Sequence, residues 1–198
     1  MAELRRFYQP VDFNEAVTKG GVAIPTISST DTLTNKTLTS PTINTPVIAN
    51  AVTTGPTPID ATAATLAIAA ATHAGKVVTL NRAAGITVTL PAATGTGNVY
   101  AFFVGTTVTS NQHRFDVTGN DAYFGIINML DLDGSAAAGF AAGSDADRID
   151  LNGTTKGGVK GDWLVFRDVA TDTWWVWGSL QVPAGSNPAS PFTTGAVS

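Results

Sequence analysis

The chain has 198 residues, a net charge of −4 and only 13% charged residues, room for one ordinary domain and a remainder. Thirty Thr, 29 Ala and 20 Gly against two Glu argue against long solvent-exposed helices, which carry Glu and Lys on their wet face, and point to strands, turns and extended chain. An acidic chain offers no footprint for nucleic acid, no apolar run approaches the roughly 18 residues of a membrane span, and zero Cys removes disulfides and thiolate chemistry.

Residues 1–55 form the first region. They hold both glutamates, and after Phe13 they contain few aromatics. The opening Met1–Pro10 lacks the apolar stretch of a signal peptide, so export by that route is not expected; Arg5 and Arg6 are adjacent, but two charges are not a basic patch. A short repeat places Leu33, Leu38, Ile43 and Ile48 five residues apart. That spacing alternates faces in a strand and drifts about 140° per step in a helix, so it fits neither. A square pentapeptide solenoid would turn every five residues, but four units give only about one coil with nothing to stack on. The favoured reading is an extended arm that pins an apolar side chain to a partner about every 16 Å. Pro41 and Pro46 support it, since proline favours extended chain.

Residues 56–182 read as an all-β domain, an antiparallel sandwich or jelly-roll-like fold. Ala61–Ala74 is the only helix candidate, and its β-branched residues weaken it. Lys76–Leu80 and Ile86–Leu90 are strands around a five-residue turn, Asn81–Gly85, and Pro91 ends the second. Residues 98–104 are apolar at nearly every position, so both faces of that strand should be covered. His113–Thr118, Phe124–Leu130 and Arg148–Leu151 are further strands, and Val159–Val169 with Trp174–Leu180 make a hairpin around Ala170–Thr173. Residues 183–198 are uncharged and rich in Pro, Gly, Ser, Ala and Thr, an extended tail.

Little here is arranged for chemistry. His73 and His113 lie in different segments, no Gly-x-Ser-x-Gly elbow and no phosphate loop occurs, and each histidine reads as a surface or strand residue. Asp131-Leu-Asp133-Gly-Ser135 looks like part of a calcium loop, but it lacks the third acidic position and any downstream glutamate, so it reads as a turn. Asp145, Asp147 and Asp150 read as a solvated loop rather than a hydrolytic pair. The strongest feature is aromatic: Trp163, Trp174, Trp175 and Trp177. In a strand Trp175 and Trp177 share one face, and Trp174 takes the other with Val176. A stacking platform for sugars is one reading. Core on one face and a subunit interface on the other is the favoured one. Phe140, alone in the small-residue stretch 136–146, either anchors a neighbouring subunit or folds back onto its own domain.

Two stretches carry a resemblance. Asp31-Thr-Leu-Thr-Asn-Lys-Thr-Leu-Thr-Ser-Pro-Thr-Ile-Asn44 resembles a segment common in structural proteins of tailed bacteriophages. Ile86-Thr-Val-Thr-Leu-Pro-Ala-Ala-Thr-Gly-Thr-Gly97, followed by Tyr100-Ala-Phe-Phe-Val-Gly105, is similar to β-domains of phage head decoration proteins and fibres. With Leu151–Gly158 and the tryptophan hairpin it spans most of the chain. The resemblance implies a β-rich homotrimer without catalytic residues or cofactors, made in the bacterial cytoplasm and carried on the virion. Two roles follow from it. A cement protein would use the arm to bind the major capsid protein on the outer shell and tie capsomers together. A fibre adhesin would instead bind a host surface glycan. Short length, the lack of a repetitive shaft and the spaced anchors favour cement.

Overall fold

The structure is a computed structural model that describes residues 55–194, together with the backbone of two short strands, β1 (Thr18–Lys19) and β2 (Val22–Ala23), which pair antiparallel. The chain divides into two units, Met1–Val52 and Thr53–Ser198. The second is nearly all β. Twelve of its segments build a seven-stranded and a five-stranded sheet.

The first six strands alternate between the sheets. Strands β3 (Ile59–Ala61), β5 (Val77–Leu80) and β7 (Val99–Val104) lie side by side and parallel in the larger sheet. Strands β4 (Thr65–Ala67), β6 (Thr87–Thr89) and β8 (His113–Asp116) do the same in the smaller one. Each successive pair is thus a rung, and three rungs stack with their inward residues in columns. Ala61, Leu80 and Val104 form one column; Leu66, Val88 and Phe115 form another.

This corrects the expected antiparallel order, because the pairing is mixed. The run Lys76–Leu80, turn, Ile86–Leu90 is an arch between layers rather than a hairpin within one. A period-two pattern is the same in both cases: Leu80 and Val88 point into the core from opposite sheets instead of from one. Gly85 makes the arch at φ +78°, with its α-carbon against the Gln112 backbone, where a side chain would run into the carbonyl. The helix candidate is likewise corrected. Ala61–Ala74 supplies the end of β3, all of β4 and a single helical turn, α1 (Ala70–His73), whose His73 Nδ1 accepts the Ala69 amide.

The remaining strands complete both layers. In the larger sheet β12 (Trp163–Ala170) pairs antiparallel with β7 and with β13 (Thr173–Val182), the expected hairpin. Beyond it, β13 runs parallel to β9 (Ala122–Asp131), and β10 (Ala137–Ala141) closes that edge antiparallel. In the smaller sheet β11 (Ala146–Leu151) pairs antiparallel with β8 and with β14 (Phe192–Thr194), so part of the uncharged C-terminal stretch is a sheet edge.

Aromatic side chains join the layers. Phe115 of the smaller sheet lies 5.0 Å from Phe102 and 5.2 Å from Phe166 of the larger, ring centre to ring centre. The Tyr123 hydroxyl crosses the same core and donates to the Phe115 carbonyl at 3.2 Å. Phe140 packs against this core from β10, so it folds back onto its own domain.

Candidate functional site

Four titratable groups are buried where a reactive site would want them, and each is occupied with the chain's own backbone. Asp162 accepts the amides of Gly158, Val159 and Gln181 at 2.7–3.1 Å; burial pushes its carboxyl up to about 7 against the pull of those three donors. Asp168 accepts the amides of Thr94, Gly95 and Thr96 and the Thr96 hydroxyl; burial works to raise it, but the four donors outweigh burial and hold it below its ordinary value. Asp121, raised by burial, bridges the Ala93 amide and the Trp174 indole N–H. His113 accepts the Ile86 amide through Nδ1, and burial lowers it to about 4, opposed by the Thr106 carbonyl. These side chains latch the loop 93–97, the arch at Ile86 and the loop before β12 to the strands beside them.

Asp131 and Asp150 are occupied as well, and Asp147 and Asp150 are buried on β11 rather than placed in the expected solvated loop. Asp131 accepts the Asp133 amide, the Ser135 hydroxyl and the Gly185 amide, a closed turn between β9 and β10. Asp150 holds Gln112 and Arg114. Among the described residues no group of three or more His, Asp or Glu is placed to hold a metal, and no helix is long and apolar enough to cross a membrane.

What distinguishes the molecule is the contrast between its two outer surfaces. On the smaller sheet the outward positions are Thr65, Thr87 and Thr89 beside two cross-strand ion pairs, Arg114–Asp150 at 3.2 Å and Arg148–Asp116 at 2.7 Å. That surface is suited to water. On the larger sheet the register lines up apolar rows across the strands. One row runs Ile126, Trp177, Val165, Ala101, Val77; the next runs Asn128, Ser179, Trp163, Phe103, Thr79 and ends on the exposed Asp60 of β3. A third carries Phe124, Trp175, Arg167 and Val99. Ile126 is 56% exposed and Trp175 43%, with Phe124, Leu130, Trp163, Phe103 and Val77 comparable.

Taking ~200 Å² for each such side chain and two-fifths of it exposed, those seven leave on the order of 600 Å² of apolar surface against water, at or above the largest patch of a typical monomer. A shallow depression of about 380 Å³, lined by Asn128, Leu130, Ala137, Gly139 and Ser179 among others, extends the surface toward β10.

The four tryptophans divide as their alternation predicts. Trp174 is fully buried beside Val176, its ring 5.8 Å from Tyr100. Trp163, Trp175 and Trp177 lie on the outer surface. Trp175 and Trp177 stack on each other at 4.4 Å with 31° between their planes, so each turns one ring face to its neighbour, which weighs against an open platform for a sugar. The strand 98–104, expected to be covered on both faces, is covered on one: Tyr100, Phe102 and Val104 are core, while Phe103 is 37% exposed.

Sequence reading did not single out Phe124, Ile126, Leu130, Val165 or Phe103 as surface residues. The available signal was that residues 122–130 are apolar at both parities, as residues 98–104 are. The proposed arm anchors Leu33, Leu38, Ile43 and Ile48 lie outside the described residues. No protein-family model matches the chain, and no characterised protein or solved structure matches it.

Proposed function

We propose that the chain is a non-enzymatic structural protein of a tailed-phage virion. Its β-sandwich domain, as a homotrimer, and its N-terminal arm decorate the outer capsid surface and tie neighbouring capsomers of the major capsid protein together. One observation carries the reading: a domain whose buried carboxylates are taken up by its own backbone and side chains presents a broad aromatic and aliphatic sheet surface. Such a surface recognises protein by burial rather than a small substrate by polar contacts. The phage resemblance supplies the setting, and the spaced anchors Leu33, Leu38, Ile43 and Ile48 supply a means of gripping a shell.

Copy number tests the reading. Purified protein added to undecorated heads should saturate at several hundred copies per particle, as a lattice component does. Saturation at tens of copies, or binding to host cells through a glycan instead of to heads, would favour the fibre adhesin and overturn the cement role.

A further inference from the structure

The proposed function calls for a self-associated domain but leaves open which surface joins the copies. We propose that the outer face of the seven-stranded sheet is the self-association surface, covered in solution by the same face of other copies of this chain. The inference rests on the assembly reading above and deepens it by assigning the surface.

The two outer faces cannot be exchanged in this role. On the smaller sheet, Arg114–Asp150 and Arg148–Asp116 are already paired across strands with their side chains only 11–35% exposed, so that face offers another copy no apolar surface to cover in their place. On the larger sheet, Trp177, Val165 and Trp163 occupy β13 and β12 in the middle of the strand order, Ile126 flanks them on β9, and none carries a charge. Arg167 stands in the end row beside Trp175, at the margin of the patch, the position where interfaces tolerate charge.

The size also fits. On the order of 600 Å² of apolar surface, joined by the polar positions Asn128, Ser179 and Thr79 of the same rows, is at or above what a typical monomer leaves open, and in a trimer it is shared between two neighbouring copies. The composition, with three tryptophans and two phenylalanines on regular strands, is that of an interface core: large, rigid side chains that lose little entropy when covered. Another copy of this chain is the occupant that fits, because an apolar surface of this kind matches its own chemistry. It is largely apolar, and its charges stand at its margins, Arg167 in the end row and Asp60 at the end of another, so its middle offers no charge pattern for a partner of different chemistry to match.

The test uses the full-length chain. Its mass by light scattering at micromolar concentration should be about three times the 20.3 kDa of one chain. Ile126→Lys places a charge at the most exposed apolar position of the surface, 56% open, and should lower that mass threefold with the far-ultraviolet circular dichroism unchanged. Thr87→Lys, on the opposite outer face, should leave the mass as it was. Tryptophan fluorescence gives a readout on the unmodified protein: Trp163, Trp175 and Trp177 should be shielded from acrylamide, and Ile126→Lys should make them accessible.

A monomeric wild type overturns the assignment. So does an oligomer that both Ile126→Lys and Trp175→Asp leave intact. If neither variant folds, the quenching of the wild type decides: shielded outer tryptophans uphold the assignment and accessible ones overturn it. Failure here with saturable head binding intact would refute the surface and leave the cement role standing. Dissociation by Ile126→Lys in a protein that never binds heads would do the reverse.

Discussion

Trp174 and Trp175 are neighbours in β13 with opposite surroundings. Trp174 is enclosed by the core and donates its indole N–H to Asp121, whereas Trp175 stands 43% exposed against Trp177. Trp174→Ala opens a cavity and strands the Asp121 carboxylate, so it should cost about 3–5 kcal/mol in denaturant unfolding. Trp175→Ala should change the stability of a dissociated domain by less than about 1 kcal/mol and act mainly on association; equal losses for the two would contradict the division of faces.

His113 carries a pH dependence of its own. Its folded value of about 4 lies below the ordinary 6.5, so between those values the unfolded chain binds the proton and the folded one does not. Its contribution to stability is therefore full above pH 6.5 and is lost as pH falls toward 4, roughly 3 kcal/mol over the whole window. Asp162, raised to about 7, works in the other direction, losing stability as pH rises from about 4 to 7, so a stability curve alone blends the two. Proton NMR of the His113 ring separates them: it should remain neutral at pH 5.5 and titrate near 4, and a midpoint near 6.5 would contradict its burial.

At the scale of elements, the close approach of β9 to β13 depends on a missing side chain. Gly125 sits at φ +142°, with its α-carbon turned toward the Val176 carbonyl in the parallel pair. Gly125→Ala would force those strands apart in mid-sheet and should lower stability by several kcal/mol, measurable as early hydrogen exchange of the β9–β13 amides; an unperturbed pair would show that the register tolerates a side chain there. The strands themselves were legible because β5, β6, β8 and β13 alternate cleanly and the turn Ala170–Thr173 is short.

Their partners were not legible. An arch and a hairpin share one alternation, and the rungs have unequal lengths, with Ile59, Val78 and Phe102 aligned at unequal intervals, so no repeat declares itself. The aromatic surface was half legible. The parity of Trp174 and Trp175 placed them on opposite faces. The contribution of β9 and β7 to the same surface depended on a strand order that only the three-dimensional fold reveals.

For the whole molecule, the pieces form one argument about partition. Polar groups on the smaller sheet pair with one another across strands; buried carboxylates fasten loops; the outer rows of the larger sheet leave their apolar side chains exposed. A trimer joined through that surface would carry three arms at once, and the second and third would bind a shell at high effective concentration. If the proposed arm grips a shell, each anchor buried there would contribute roughly 1.5–3 kcal/mol before the cost of ordering the arm.

The most direct measurement is the temperature at which undecorated heads rupture, followed by release of their DNA, with and without saturating full-length protein. The account predicts that the protein raises this temperature and that a variant carrying Leu33→Ser, Leu38→Ser, Ile43→Ser and Ile48→Ser, still trimeric, does not. Heads that rupture at the same temperature with and without the full-length protein would contradict it.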